Sequence, residues 1–417
     1  MKICDCNHNL YIFAAKIITV MQRLIHTYNR LLNNVDDTFL RYLYSQIDWN
    51  NRLIVIKGAR GVGKTTMLLQ HIKRTFPDVK KALYASLDNI WFTTNTILDL
   101  AEYHYTHGGT HLFLDEIHRY KGWQREIKNI YDSYPDLHVV ITGSSLLKLE
   151  ESIIADLSRR SRQYSLNGLS FREYLQFEGI ASVPVLTLRD ILENHLETAM
   201  QITAHTKVLQ HFEAYVRHGF YPFYHEDEDG FEERLSQIID TIIESEIPAV
   251  SDIKYESVYK AKRLLGILAE QSPYTLNIAA LSNTLQVSRE NVLKLLDLMD
   301  KSALVRKLYS LSGGMKMLVK PEKILFDNPN IMYALSNQAD AGTMRETVFA
   351  SQLSVAHNLY MPQQGDFVVD DTYTFEVGGR SKGYKQIRNI PDSYVVRDEI
   401  ELGIDNKIPL WLFGCLY

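Results

Sequence analysis

Gly58-Ala59-Arg60-Gly61-Val62-Gly63-Lys64-Thr65 is a G-x-x-x-x-G-K-T run, and Thr66 follows it directly. These residue types at this spacing suit the cradling of a polyphosphate. The glycines lack Cβ atoms, so backbone N–H groups can curl around phosphate oxygens. A helix starting directly after the loop turns the positive end of its dipole toward the same anion. Lys64 is long enough to reach the β- and γ-phosphates of ATP, and the Thr65 hydroxyl is a ligand for Mg²⁺. The apolar run RLIVIKG (52–58) precedes the loop and MLLQHIKRTF (67–76) follows it. That is the strand–loop–helix context the motif requires.

A second set of chemically capable residues lies downstream. HLFLDE (111–116) is an apolar run of buried-strand length that ends in Asp115 and Glu116. In a parallel sheet such a strand delivers its terminal acid to the carboxyl edge, where ligands gather. Asp115 is expected to hold Mg²⁺ directly or through a water. Glu116 is expected to be the general base that orients water toward the γ-phosphate.

The elements that must position these groups follow from the pattern. Strand-like runs at 52–58, 82–88, 111–116 and 137–143 alternate with helical runs at 67–76, near 94–105, and in GWQREIKNIYDSY. This alternation predicts an α/β fold, a parallel sheet with helices on both faces. Residues 22–47 read as helical. At roughly 150 residues per domain, 417 residues suggest about three domains. A hydrophobic content of 46% and a charged content of 23% exclude a mainly disordered chain, a collagen-like fibre and a disulfide mini-protein. The net charge of -5 gives no global basic field, so any contact with nucleic acid must come from a local patch. Cys4, Cys6 and Cys415 lack metal spacing and fit a reducing cytoplasm. No run reaches the ~18 apolar residues of a membrane helix, so no membrane association is expected. Lys16 interrupts the apolar N-terminus, and the first twenty residues read as a loosely attached extension.

GARGVGKTT, LFLDEIH, VVITGSS, LSRRSRQYSLNGLSFREYL, RHGFYP and DFVVDDTYTFEVGG occur in this order between residues 50 and 417. In these motifs the chain resembles the prokaryotic AAA-type P-loop ATPases whose ATPase module precedes a winged-helix and nuclease-like region. The strand at 82–88, inserted between the phosphate-loop strand and the Asp-Glu strand, fits the additional-strand class of these ATPases. The resemblance implies an N-terminal helical extension (1–47) and an ATPase core (48–169). A helical lid (170–250), a winged helix (251–335) and a degenerate restriction-nuclease-like domain (336–417) follow. It also implies that Thr142 or Ser144, with Ser144 favoured, senses the γ-phosphate. Arg160 would stand where the family carries a transition-state arginine, although Arg159 replaces the usual glycine. Pro222 of HGFYP would pack on adenine. Gly168 replaces the proline that usually opens the lid. Such modules often form rings, but monomeric relatives exist, so the oligomeric state is left open.

The C-terminal half offers two further constellations. IAALSNTLQ (278–286) and RENVLKLLDLMDKS (289–302), joined at Val287-Ser288, form a helix-turn-helix pattern with Ser288 as N-cap. Val292, Leu295, Leu296 and Met299 mark its buried face. LVRKLYS, Gly313-Gly314 and MKMLVK read as a wing. Arg289, Asn291 and Lys294 offer DNA contacts, while Glu290, Asp297 and Asp300 oppose them. DNA or a protein is therefore the expected partner of 278–302. In the tail, Glu346, Asp366 and Glu376 match the acids of a nuclease site that needs a lysine two residues after the last acid. Gly378 holds that place, and Lys382 or Lys385 is left to substitute. The closing IPLWLFGCLY reads as a packed strand. The sequence thus supports an ATP- and Mg²⁺-dependent hydrolase coupled to its C-terminal region. A nucleotide-gated scaffold with negligible turnover is the alternative, and an ATP-regulated nuclease is a third.

Overall fold

Leu53, Ile54, Val55 and Ile56 are all at most 1% exposed, so both faces of this run are covered. A strand with two buried faces belongs inside a parallel sheet flanked by helices. The computed structural model describes residues 21–143, 159–250, 255–270, 276–311, 320–336 and 339–417. Residues 1–20 and Ser144 lie outside the described residues. The chain divides into two compact units. One joins the residues up to 58 with 63–166, and the other joins 59–62 with 167–417.

In the first unit, helix α1 covers 21–34. Then follow β1 (Leu53–Lys57), α2 (Lys64–Thr75), β2 (Ala82–Ser86), α3 (Ile97–Thr106), β3 (His111–Asp115), α4 (Trp123–Ser133), β4 (His138–Gly143) and β5 (Arg162–Ser165). The strands form one parallel sheet in the order β2-β3-β4-β1-β5. The doubly covered α/β sheet is as the alternation predicts. One expectation needs correction. The strand between the loop strand β1 and the acid-bearing strand β3 is β4, while Ala82–Ser86 is the edge strand. Chain order placed 82–88 between them, but β2 pairs with β3, and β4 pairs with both β3 and β1. Local signals set the helix ends. Gly63 at φ 94 precedes α2, and Pro77 follows its last turn. Thr96 and Asp99 close a capping box on α3.

The amino-terminal edge of this sheet gathers imidazoles. The His71 ring lies flat on Trp49 at 3.7 Å, and His111 stacks on His138 at 4.6 Å. His104 Nε2 sits 2.9 Å from the His111 carbonyl.

The second unit begins with helices Phe171–Phe177, Leu188–Thr203 and Val208–Ala214 and the π-helix Tyr215–Gly219. Further on, helix Ile278–Leu285, helix Arg289–Lys301 and an antiparallel ribbon of β6 (Val305–Leu308) and β7 (Lys323–Phe326) occur in sequence. Ser288 accepts from the Asn291 amide as N-cap, and Val292, Leu295, Leu296 and Met299 are buried. The partner of β6 is Lys323–Phe326. The expected wing strand MKMLVK falls almost wholly on 312–319, outside the described residues. A mixed sheet closes the chain: β8 (Leu359–Tyr360), β9 (Phe367–Val369), β10 (Tyr373–Gly378), β11 (Ser393–Arg397) and β12 (Lys407–Pro409), in the order β12-β11-β10-β9-β8. IPLWLFGCLY is not a strand. Only its first residues pair, and Leu410–Cys415 coils as a 3-10 helix with every side chain buried. A short apolar run does not distinguish strand from buried helix.

Burial pushes His71 and His111 down to about 4. An unfolded histidine titrates near 6.5. The unfolded chain therefore binds more protons between those values, and the stability these rings contribute, full above about 6.5, is lost as pH falls toward 4. Urea midpoints of the protein are expected to fall from pH 7 to pH 5, and less steeply in His71→Phe. A midpoint that is flat or rises over that range would contradict this.

Candidate functional site

The sheet register brings the sequence-predicted groups to one edge. Leu114 pairs with Ile141, and Ile56 pairs with Thr142, so Asp115 and Thr142 end neighbouring strands beside the loop that leaves β1. Asp115 is only 2% exposed. A buried carboxyl needs donors, and this one has four. Thr65 Oγ1 donates to Asp115 Oδ2 at 2.5 Å, and Tyr84 OH donates to the same oxygen at 2.9 Å. Thr142 Oγ1 and the Glu116 amide, at 3.1 Å, donate to Oδ1.

Glu116 itself adopts φ 52, a left-handed conformation uncommon for a residue with a Cβ. This turns the chain at the end of β3 and brings the Glu116 carboxylate to 3.4 Å from His118 Nε2. Lys64 starts α2, is 5% exposed, and donates to the Gly58 carbonyl at 2.9 Å. The lysine thus folds over the start of its own loop. Thr66 is exposed on the first turn of α2. The Thr65 hydroxyl and an Asp115 carboxylate oxygen are hard oxygen donors in contact at a helix N-terminus, and that donor set fits Mg²⁺.

The loop's turn, Ala59–Val62, packs within the second unit. Arg60 Nη1 lies 3.0 Å from Glu246 Oε1, whose side chain is 4% exposed. Gly61 has φ 87, and a Cβ there would stand 2.8 Å from Phe223 Cε1. Val62 is fully buried. Pro222 opens the 3-10 helix Pro222–Glu226, next to Phe223. Of HGFYP, Tyr221 reaches the loop's turn, its Cδ1 3.6 Å from where a Cβ at Gly61 would stand, and Phe223 follows directly after the motif.

Arg160 is not brought to the loop. It binds Asp132 of α4 at 3.3 Å and lies 5.8 Å over the Tyr131 ring. Arg52, which precedes β1, lies 3.9 Å over that same ring. Arg160 therefore sits at the amino edge of the sheet. The length of β1, roughly 16 Å for five residues, separates it from the loop at the other end. A motif match in linear sequence carried no information about which edge the residues just before β5 occupy.

Sequence reasoning missed Tyr84, which belongs to no motif. It treated Thr142 as the lesser of two sensors, whereas Thr142 is bonded to Asp115.

In the tail, Lys382 Nζ meets Glu376 Oε1 at 2.6 Å, so Lys382 rather than Lys385 approaches the buried acid. Glu346 pairs with Lys323, and Asp366 accepts from the Val377 amide at 2.7 Å. Among the described residues, no group of three or more His, Cys, Asp or Glu side chains is placed to hold a metal ion. Also among them, no helix is long and apolar enough to cross a membrane.

Residues 50–175 match the sequence model of a family described as an AAA domain. They form an AAA-type P-loop ATPase domain. Residues 209–341 match a domain of unknown function. The chain is 27% identical over 419 residues to an uncharacterised protein of Methanocaldococcus jannaschii, covering 92% of this chain and 88% of that one. It is 22% identical over 371 residues to an uncharacterised protein of Haemophilus influenzae, covering 82% and 86%. Among solved structures, AMPPCP-bound DnaA from Aquifex aeolicus aligns at 14% identity and a TM-score of 0.26, over 62% of this chain and 84% of that one.

The AAA domain's loop leaves no room for a side chain at Gly61. Gly61→Ala is expected to weaken ATP binding at least about tenfold, from the left-handed strain and the clash with Phe223 together. Adding Phe223→Ala should restore part of the loss. Calorimetric titration of both variants checks this, and no recovery in the double variant would remove the steric explanation.

Proposed function

We propose that the chain binds ATP and hydrolyses it with Mg²⁺, coupling nucleotide state to its C-terminal region. The observation that carries this reading is the Thr65–Asp115 contact at the N-terminus of α2. Each group has a stated task. The loop amides and the α2 N-terminus hold the phosphates. Lys64 moves from the Gly58 carbonyl to the β- and γ-phosphates and neutralises charge that grows there in the transition state. Thr65 and Asp115 hold Mg²⁺, which when bound screens the charge of the phosphate oxygens. Glu116 orients a water for in-line attack and takes its proton. Arg160, at the far edge, has no part in this chain's own site. If it acts as an arginine finger, it does so on a neighbouring copy.

Lys64→Ala is expected to abolish ATP binding in calorimetry. Glu116→Gln is expected to keep binding and to lower phosphate release about 10²–10⁴-fold. A Glu116→Gln protein that turns over at the normal rate would refute the base assignment. Turnover that is absent in the unmodified chain, with binding intact, would favour the alternative of a nucleotide-gated scaffold.

A second reading assigns DNA contact to helix Arg289–Lys301. Two of the acids that opposed it are occupied elsewhere. Lys307 of β6 lies 2.7 Å from Asp297 and 3.6 Å from Asp300, and Lys301 lies 3.3 Å from Asp297. Arg289, Asn291 and Lys294 are exposed, with Glu290 beside them. Duplex DNA binding by the full chain should weaken in Arg289→Glu/Lys294→Glu, and the salt slope should fall by about two, one per lost phosphate contact. Binding that is unchanged in this variant would leave the module to protein contacts.

A further inference from the structure

Tyr84 stands on the edge strand β2, in no motif, yet its hydroxyl reaches the acid that the ATPase reading assigns to Mg²⁺. The side chain is 4% exposed. Its OH donates to Asp115 Oδ2 at 2.9 Å, the oxygen that also accepts from Thr65. The Asp115 carboxylate thus has a donor on each side: Thr65 from the loop helix, Tyr84 from the edge strand, Thr142 from the central strand. A phenol with its ordinary pKa of about 10 is a donor throughout the physiological range. Behind it, the Tyr28 ring of α1 lies 6.5 Å away at 28°. The Tyr84 ring therefore has a packed backing, and its hydroxyl has a fixed direction.

We propose that Tyr84 is a positioning residue for the metal site, setting the rotation of the Asp115 carboxylate so that its Thr65-facing oxygen is presented to Mg²⁺. The inference rests on the ATPase reading. Without Tyr84 the plane of the carboxylate is fixed on one side by Thr65 alone, and Thr65 must also serve the metal. A second donor to that oxygen, one that makes no contact with the ligand, removes that conflict. The edge strand then has a role in the chemistry through the sheet, although it bears no residue of the recognised motifs.

The test is Tyr84→Phe in the full chain, which removes one oxygen and keeps the ring between its neighbours. Calorimetry with a non-hydrolysable ATP analogue is run across a Mg²⁺ series and in EDTA. Affinity in EDTA should be unchanged. The Mg²⁺ concentration giving half of the metal-dependent gain in affinity should rise about tenfold, as for a lost hydrogen bond to a charged group. Leu83→Ala, which thins packing on the same strand without touching Asp115, should not move that concentration. In an Asp115→Asn background, Tyr84→Phe should add nothing, because residues acting as one unit are not additive. An unchanged Mg²⁺ dependence in Tyr84→Phe, or an equal shift in Leu83→Ala, overturns the inference alone. A parent protein that binds no nucleotide in either condition overturns the ATPase reading and this inference with it.

Discussion

The structure of the first unit depends on how a single buried carboxyl is satisfied. Asp115 is nearly inaccessible, and its two oxygens accept from Thr65, Tyr84, Thr142 and the Glu116 amide. These donors come from the loop helix, the edge strand, the central strand and the residue next in chain. A hydrogen bond to a charged group contributes about 1.5–3 kcal/mol, and an orphaned buried carboxylate costs more. The packing of α2, β2 and β4 around β3 therefore cannot drift without leaving a donor or acceptor unmet. The same constraint that orders the sheet edge also assembles the hydroxyl and carboxylate that suit Mg²⁺.

Glu116 follows from this arrangement. Its amide faces Asp115 Oδ1 only because the chain turns left-handed there. Such a conformation persists in a residue with a Cβ only where its surroundings hold it. Here the amide bond to Asp115 and the 3-10 turn Ile117–Arg119 hold it. The side chain is then directed by the backbone, toward His118, rather than by loose rotamer choice. A candidate base fixed by strain at a strand end is better positioned than one on a mobile loop.

What the sequence revealed and what it hid divide along a physical line. Loop, lysine, threonine and acid pair were legible because each lies in a contiguous run, and strand–loop–helix geometry fixes their places. Tyr84 was not, since the register Ser86 with Asp115 exists only once β2 and β3 pair. The place of Arg160 at the amino edge was hidden for the same reason, because it depends on Asp132 and Tyr131 of a helix distant from it in sequence. Lys382 reached Glu376 from a following turn, a geometry that left Lys385 equally plausible by spacing alone. The apolar end of the chain was legible as buried, but its coil was not, since hydrophobicity without periodicity does not choose between strand and helix.

The second unit shows a further way in which buried polar groups fix a functional position. The π-helix Tyr215–Gly219 has a widened turn, and its carbonyls need partners that an α-helix would supply internally. Asn330 provides them: its Nδ2 donates to Val216 O at 2.8 Å and Tyr215 O at 3.3 Å, while its Oδ1 accepts from the Phe220 amide at 2.9 Å. Asn328 binds the Tyr221 hydroxyl at 3.0 Å, and Gln352 binds Tyr215 at 2.7 Å. These amides would be costly to bury unpaired, so they select one path for the chain from Tyr215 to Phe223. That path ends where Phe223 meets Gly61. A larger residue at Gly61 or a shorter side chain at Asn330 would break the same arrangement from opposite ends. The glycine of the phosphate loop therefore answers to two demands: close approach of backbone to phosphate, and close approach of Phe223 to backbone.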